Sequence, residues 1–356
     1  MTKKRISSFD SLRGIAIFGV LINHAYFIDS PTNIHKLVKS LGRYGVQLFF
    51  IISGIMITYS WINKKVDLKI FYFNRLYRIL PLFIVSGFIY NLDNLNSSTY
   101  KLMLIFTSHF ISPEYSNIET AAPGGWSIVS EIFFYLLFPI LFMILKKKNI
   151  YYLFFLQSTA YLYYNFFLQG KIIEFMLSNG VSEIKYIQNY LFFNFLNQLP
   201  IFLLGIGLYY CLYEHNSIIK FYALQLVLIG FTYFTKQLIT YYSNSAELIQ
   251  VATNVQLNFL IFYVILSLIV VLFVEFNLNN RYLNFLGRYS YGVYIFHYLG
   301  ATIAAELRPF FDGSNYLIYI LCFIIMLAIS LILSKFSEDF LLKKKQKVKK
   351  FIFSRI

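Results

Sequence analysis

The chain has 356 residues, 58% of them apolar and only 13% charged, about half the charged fraction of a soluble domain. No block is polar enough to fold alone in water, which excludes a soluble enzyme. The formal net charge is +15, but the Lys and Arg residues sit between apolar runs, so the charge reads as membrane topology rather than as a nucleic-acid surface, and no nucleic-acid partner is expected.

Stretches long enough to cross a bilayer, about 20 mostly apolar residues, fall at 12–29, 44–62, 76–92, 126–145, 150–168, 190–213, 218–235, 254–275, 289–306 and 316–335. The first follows Lys3, Lys4 and Arg5 in the manner of a signal peptide. Asn23-His24 interrupts it and no small-x-small cleavage site follows, so it reads as a retained span. A further stretch, 100–112, is apolar but short. With it left out of the membrane, the basic clusters 3–5, 64–78, 146–148 and 343–350 fall on one face, which then holds 23 of the 31 Lys and Arg residues. Counted as a span, it would move 146–148 and the tail outside. The positive-inside rule therefore predicts an all-α, polytopic integral membrane helix bundle with about ten transmembrane helices and both termini cytoplasmic. Residues 93–125 become an outer-face loop with a re-entrant or interfacial piece that contains His109. Residues 1–342 read as one transmembrane domain, and 343–356 as a basic cytoplasmic tail suited to anionic lipid headgroups. Cys211 and Cys322 lie inside apolar runs and the five histidines show no ligand spacing, so neither a disulfide framework nor a metal is expected.

Ionisable groups inside a span are costly and mark functional candidates. The first span holds Arg13 and, eleven residues on, His24. On a helix that is about three turns and about 16 Å, with both side chains on nearly one face. An imidazole titrates near neutrality and can take and pass on a proton; His24 equally fits a hydrogen bond to a neighbouring helix. Arg75 and Arg78 share a helix face at the entrance to the third span. Two guanidiniums so placed suit a phosphorylated ligand or simple positive-inside anchoring. Around Gly124-Gly125-Trp126-Ser127 the residues Ser127, Glu131 and Tyr135 step by four along one face. That carboxylate could bond sugar hydroxyls, orient an imidazole, or tie two helices together. In the run Gly287-Arg288 to His297, Ser290, Tyr294 and His297 face one way, and His297 is a second catalytic or substrate-contact candidate as well as a plausible core histidine. Ser53-Gly54 and the run from Leu199-Pro200 to Gly205 read as close helix contacts, with Pro200 a kink.

In this order, the motifs resemble the acyltransferase-3 family of membrane acyltransferases. They are Ser11-Leu12-Arg13-Gly14-Ile15-Ala16 with His24, Gly45 to Gly54, Arg75-Leu76-Tyr77-Arg78-Ile79-Leu80-Pro81, Trp126-Ser127 to Glu131, Leu203-Leu204-Gly205 and Gly287 to His297. Two positions depart from the pattern: Gln47 stands where the family usually has Asp, and Glu338-Asp339 where Glu-x-Pro is common. The resemblance implies ten core helices, an acyl-CoA donor, usually acetyl-CoA, on the cytoplasmic side, and O-acylation of a glycan or lipid-linked glycan at a bacterial plasma membrane. It implies that Arg13 and His24 are functionally essential, and it places the paired-Arg motif at Arg75 and Arg78 and the Trp-Ser-x-x-x-Glu motif at Trp126 and Glu131. The site expected from both readings has His24, Arg13 and Glu131 as catalytic residues, Arg75, Arg78 and Arg13 against the donor phosphates, and Trp126, Ser127, Tyr135 and His297 as substrate-binding candidates. A different class stays open, since ten spans with buried His, Arg and Glu also describe a transporter of a polar metabolite or lipid-linked glycan. A non-catalytic scaffold is a third option.

Overall fold

In a computed structural model, residues 3–25, 33–64, 67–90, 92, 122–144, 149–181, 183–214, 217–242, 247–311 and 313–353 are described, and no strand occurs among them. The helices are α1 Lys3–His24, α2 Asn33–Gly42, α3 Gly45–Lys64, α4 Leu68–Ile89, α5 Trp126–Ile144, α6 Ile150–Tyr163, α7 Gln169–Ser178, α8 Ile184–Phe193, α9 Phe195–Tyr213, α10 Ile218–Tyr242, α11 Glu247–Glu275, α12 Arg281–Arg288, α13 Ser290–Leu307 and α14 Asn315–Phe353. The stretch 100–112, His109 and the basic cluster 146–148 lie outside the described residues.

Each apolar window read from the sequence overlaps a helix among the described residues. Six helical segments are long and apolar enough to cross a membrane: Lys36–Asn63, Trp126–Ile144, Ile184–Tyr213, Ile218–Gln237, Asn258–Glu275 and Asn315–Ile352. The helices of the other four windows are too polar or too short for that test. α1 carries Asp10 and Arg13, α4 carries Lys69, Arg75 and Arg78, α13 carries three Tyr, one His and Glu306, and α6 ends after 14 residues in a π-helical turn, Tyr164–Leu168, that continues into α7. Three of these four, α1, α4 and α13, hold the polar candidates, so their low apolarity is the cost of carrying the site. α1 also begins well before residue 12 and ends at His24, which puts that imidazole at the end of the helix. The window 190–213 is broken at Asn194, whose side chain accepts from Leu196 N at 2.9 Å and caps α9; Pro200 lies inside α9.

Without a hydrophobic drive between helices in lipid, close backbone approach and polar bonds hold a bundle together. α3 and α9 meet where Gly54 faces Gly205: an added Cβ on Gly54 would come within 3.0 Å of Gly205 Cα. α6 and α10 are joined by a reciprocal, buried amide pair, Gln157 with Gln225, at 3.0 and 3.1 Å. The short α12 is fastened along α1. Asn280 N donates to Ser11 Oγ at 2.9 Å, Ser11 Oγ to Asn284 Oδ1 at 2.5 Å, and Asn284 Nδ2 to Ser7 Oγ at 2.8 Å.

α13 is the best fastened of the site helices. Glu338 of α14 accepts from Gly292 N at 2.7 Å, so a carboxylate caps the α13 N-terminus, where backbone N–H groups have no helical partner. Tyr291 OH donates to Ile79 O at 2.6 Å, and Tyr90 OH to Ile295 O at 2.8 Å, which ties α13 to α4.

Candidate functional site: two adjoining cavities between α1, α4, α5 and α13

The arginine motifs of α1 and α4 and the acidic motif of α5 converge on one cavity of about 710 Å³, mouth included. Arg13, Arg75 and Arg78 face it together with Glu131, Ser127 and Tyr135. The spacing rules that put Arg75 with Arg78, and Ser127 with Glu131 and Tyr135, on single faces therefore hold. Three guanidiniums against one carboxylate leave the lining cationic. Arg13 is offset in part by Asp10, one turn back on α1, at 3.3 Å.

Glu131 is held from two sides. Ser53 Oγ donates to its Oε1 at 2.9 Å, and Tyr135 OH donates to the same oxygen. The Arg75 guanidinium lies over the Tyr135 ring, 5.7 Å from its centroid, so the carboxylate, the phenol and the cation brace one another. Ser53, read from sequence only as part of a helix contact, is thus a site residue. Gln47, at the family's Asp position, is fully buried and neither of its polar side-chain atoms has a protein partner.

A second cavity, about 1030 Å³, takes in His24, Trp126, Asn23, Arg43 and Tyr298. Tyr298 OH lies 2.9 Å from His24 Nδ1, and Asn23 Nδ2 lies 3.3 Å from Nε2. The same hydroxyl is also 3.4 Å from Nε2, so Tyr298 and Asn23 hold the ring between them in the cavity wall. Trp126 stacks on Phe193 with ring centroids 4.6 Å apart, forming an aromatic platform. Arg43 lies over the rings of Tyr44 and Phe259.

His297 is fully buried and lies behind His24, with ring centroids 5.1 Å apart. Its Nδ1 donates to Tyr294 O at 2.6 Å, which leaves Nε2 as a lone pair without a protein partner. It supports the His24 ring from behind rather than lining either cavity.

The two cavities share Val46 and Tyr294. The Tyr294 phenol is pinned in this wall: it donates to Gly124 O at 2.7 Å and accepts from Ser127 Oγ at 2.8 Å. Gly124 has φ +75°, and a Cβ there would come within 2.9 Å of the Tyr294 oxygen, so only glycine fits both the backbone and the contact. Tyr298 and Tyr291 escaped the sequence reading, although Tyr291, Tyr294 and Tyr298 follow the i, i+3, i+7 spacing of one helix face.

Among the described residues, six helical segments long and apolar enough to cross a bilayer, with a cationic cavity and an imidazole-lined one side by side in the bundle, define a helical membrane protein. The chain belongs to the acyltransferase-3 family: the family model, described as an acyltransferase domain, matches residues 6–335. It is 29% identical over 168 residues to a candidate O-acetyltransferase of Staphylococcus aureus (strain COL), covering 40% of this chain and 26% of that one. Over 123 residues it is 32% identical to an uncharacterized protein of Haemophilus influenzae, covering 29% and 50%. Over 167 residues it is 27% identical to the peptidoglycan O-acetyltransferase OatA of Listeria monocytogenes, covering 41% and 25%. The matched segments thus span a quarter to a half of these relatives' lengths. No solved structure matches the chain.

Proposed function

We propose that this chain is a membrane O-acyltransferase that moves an acyl group, most simply acetyl, from cytoplasmic acyl-CoA to a hydroxyl of a glycan or lipid-linked glycan such as exopolysaccharide, capsule or O-antigen. In this reading about ten helices cross a bacterial plasma membrane and both termini are cytoplasmic, as the distribution of Lys and Arg requires. The observation that carries it is the shared wall: the cavity of Arg13, Arg75 and Arg78 abuts the cavity of His24 at Tyr294 and Val46.

The cationic side suits the phosphates of the donor, through bidentate guanidinium contacts. The other side, with Trp126 as a platform for a sugar ring, suits the acceptor. The thioester passes the Tyr294 wall to reach His24. The His24 imidazole takes the proton of the acceptor hydroxyl as the oxygen attacks the thioester carbonyl carbon; the C–S bond breaks, and the imidazolium returns its proton to the departing thiolate. A covalent acyl-imidazole on His24 is the variant of the same chemistry in two steps. Glu131, braced by Ser53 and Tyr135, orders the guanidiniums that hold the donor phosphates.

Adjoining cavities would also serve an exporter, so the test must read chemistry. Membranes carrying the wild type or His24→Ala at matched expression are supplied with labelled acetyl-CoA. Label in a glycan or lipid-linked fraction with the wild type alone is the expected result. Intact protein with neither label nor thiol release, against plausible acceptors, returns the weight to the exporter.

A further inference from the structure

A third hollow, of about 750 Å³, adjoins the arginine cavity and shares Arg78 and Tyr291 with it. It shares no lining residue with the His24 cavity. Its cations come from three places: Arg78 from α4, Arg288 from the end of α12, and Lys345 from the Lys-rich run of α14. One carboxylate, Glu338, faces them. Its Oε1 accepts from Gly292 N at 2.7 Å and Ser334 Oγ at 3.2 Å, and one carboxylate against three cations leaves the lining net cationic. The remaining wall includes Tyr77 and the fixed ring of Tyr291, whose hydroxyl donates to Ile79 O.

The three cavities therefore form a series. The hollow of Arg288 and Lys345 is cationic with flat rings, the cavity of Arg13, Arg75 and Arg78 is cationic, and the cavity beyond Tyr294 is walled by the His24 imidazole. A coenzyme A thioester has the matching order: an adenosine with a 3′-phosphate, a pyrophosphate, then a neutral arm ending at the reactive carbonyl. We propose that the hollow between Arg78, Arg288 and Lys345 binds the adenosine 3′-phosphate end of the donor, with Arg288 and Lys345 meeting the 3′-phosphate and Arg78, at the junction, meeting the pyrophosphate. This rests on the reading above that the donor is a coenzyme A thioester. It gives a recognition role to Arg288 and Lys345, which the reading above leaves without one. Lys345 then has a specific role that differs from that of its neighbours in the Lys-rich run, which attract anionic lipid.

The test is binding, so it needs no acceptor. The full-length protein in lipid nanodiscs is titrated with coenzyme A and with 3′-dephospho-coenzyme A, which lacks only the phosphate in question. The wild type is expected to prefer coenzyme A by about tenfold or more, the worth of a charge-assisted contact. Arg288→Gln and Lys345→Gln, at exposed and half-buried positions, are each expected to erase most of that preference and to leave the affinity for the dephospho form unchanged. Equal binding of the two ligands by the wild type, or a preference that survives both substitutions, overturns the assignment and leaves these cations to lipid headgroups. If neither ligand binds at all, the donor reading itself fails, and the subsite fails with it.

Discussion

His24 Nδ1 and the Tyr298 hydroxyl lie 2.9 Å apart across the α1–α13 contact. His24 is the last residue of its helix, so its own backbone does little to fix the ring, and the phenol from α13 with His297 behind it does that work. Tyr298 is in this view a positioning residue. Tyr298→Phe keeps the ring and loses one hydrogen bond; kcat for acetyl transfer is expected to fall about tenfold, the range of a lost bond to a charged or charging group. The donor KM should stay unchanged, because the phenol does not face the arginine cavity. His24→Ala should abolish transfer in protein that still inserts. A Tyr298→Phe enzyme with wild-type kcat would show that the imidazole is oriented by other groups.

Arg75 and Arg78 share the cationic cavity with Arg13. Removing either is expected to raise the donor KM by about tenfold, as loss of a charge-assisted, bidentate contact does. Arg→Lys should recover only part of this, since a point charge lacks the planar fork. Initial rates at varied acetyl-CoA and fixed acceptor read the effect directly. A defect confined to the acceptor KM would contradict the assignment of this cavity to the donor.

Glu131 is the carboxylate among three guanidiniums and accepts from both Ser53 and Tyr135. Glu131→Ala leaves those hydroxyls without their acceptor, so a loss of about 1–3 kcal/mol is expected, the scale of unsatisfied polar groups. Glu131→Gln keeps an acceptor oxygen for the hydroxyls and removes only the charge, so its melting temperature in detergent should fall between those of the wild type and Glu131→Ala. Equal melting of Glu131→Ala and wild type would reduce the carboxylate to a bystander in stability.

Much of this site was legible before the fold was seen. Arg75 with Arg78, and Ser127 with Glu131 and Tyr135, follow from helical spacing alone, and the apolar windows follow from length and composition. What spacing could not give is which faces meet. Ser53 looked like a helix contact because nothing in α3 announces that Glu131 of α5 lies opposite. Tyr298 was overshadowed by its neighbour His297, which stands out as a titratable group, while the phenol touching His24 does not. Hydropathy registers where lipid-like residues begin, whereas a helix starts wherever backbone hydrogen bonds can form, so α1 reaches back to Lys3, well before the apolar window.

The same limit applies to packing, where two motifs far apart in sequence turn out to be one contact. Gly54 and Gly205 each leave room for the other's backbone across α3 and α9. A methyl at either position must part the helices, and overpacking of this kind costs about 1–3 kcal/mol. Gly230 on α10 is the control, since a Cβ there would meet no other atom within 4 Å. Gly230→Ala is expected to be neutral or to stabilise by up to about 1 kcal/mol through backbone entropy and helix propensity. Gly54→Ala and Gly205→Ala should each lower the melting temperature, and the double variant should lose less than the two losses added, because the first methyl has already separated the helices. Fully additive losses would mean that the two glycines act on different neighbours. Because α3 also carries Ser53 and Phe50 into the arginine cavity, any separation at Gly54 should weaken donor binding as well, a coupling that Gly230→Ala should not show.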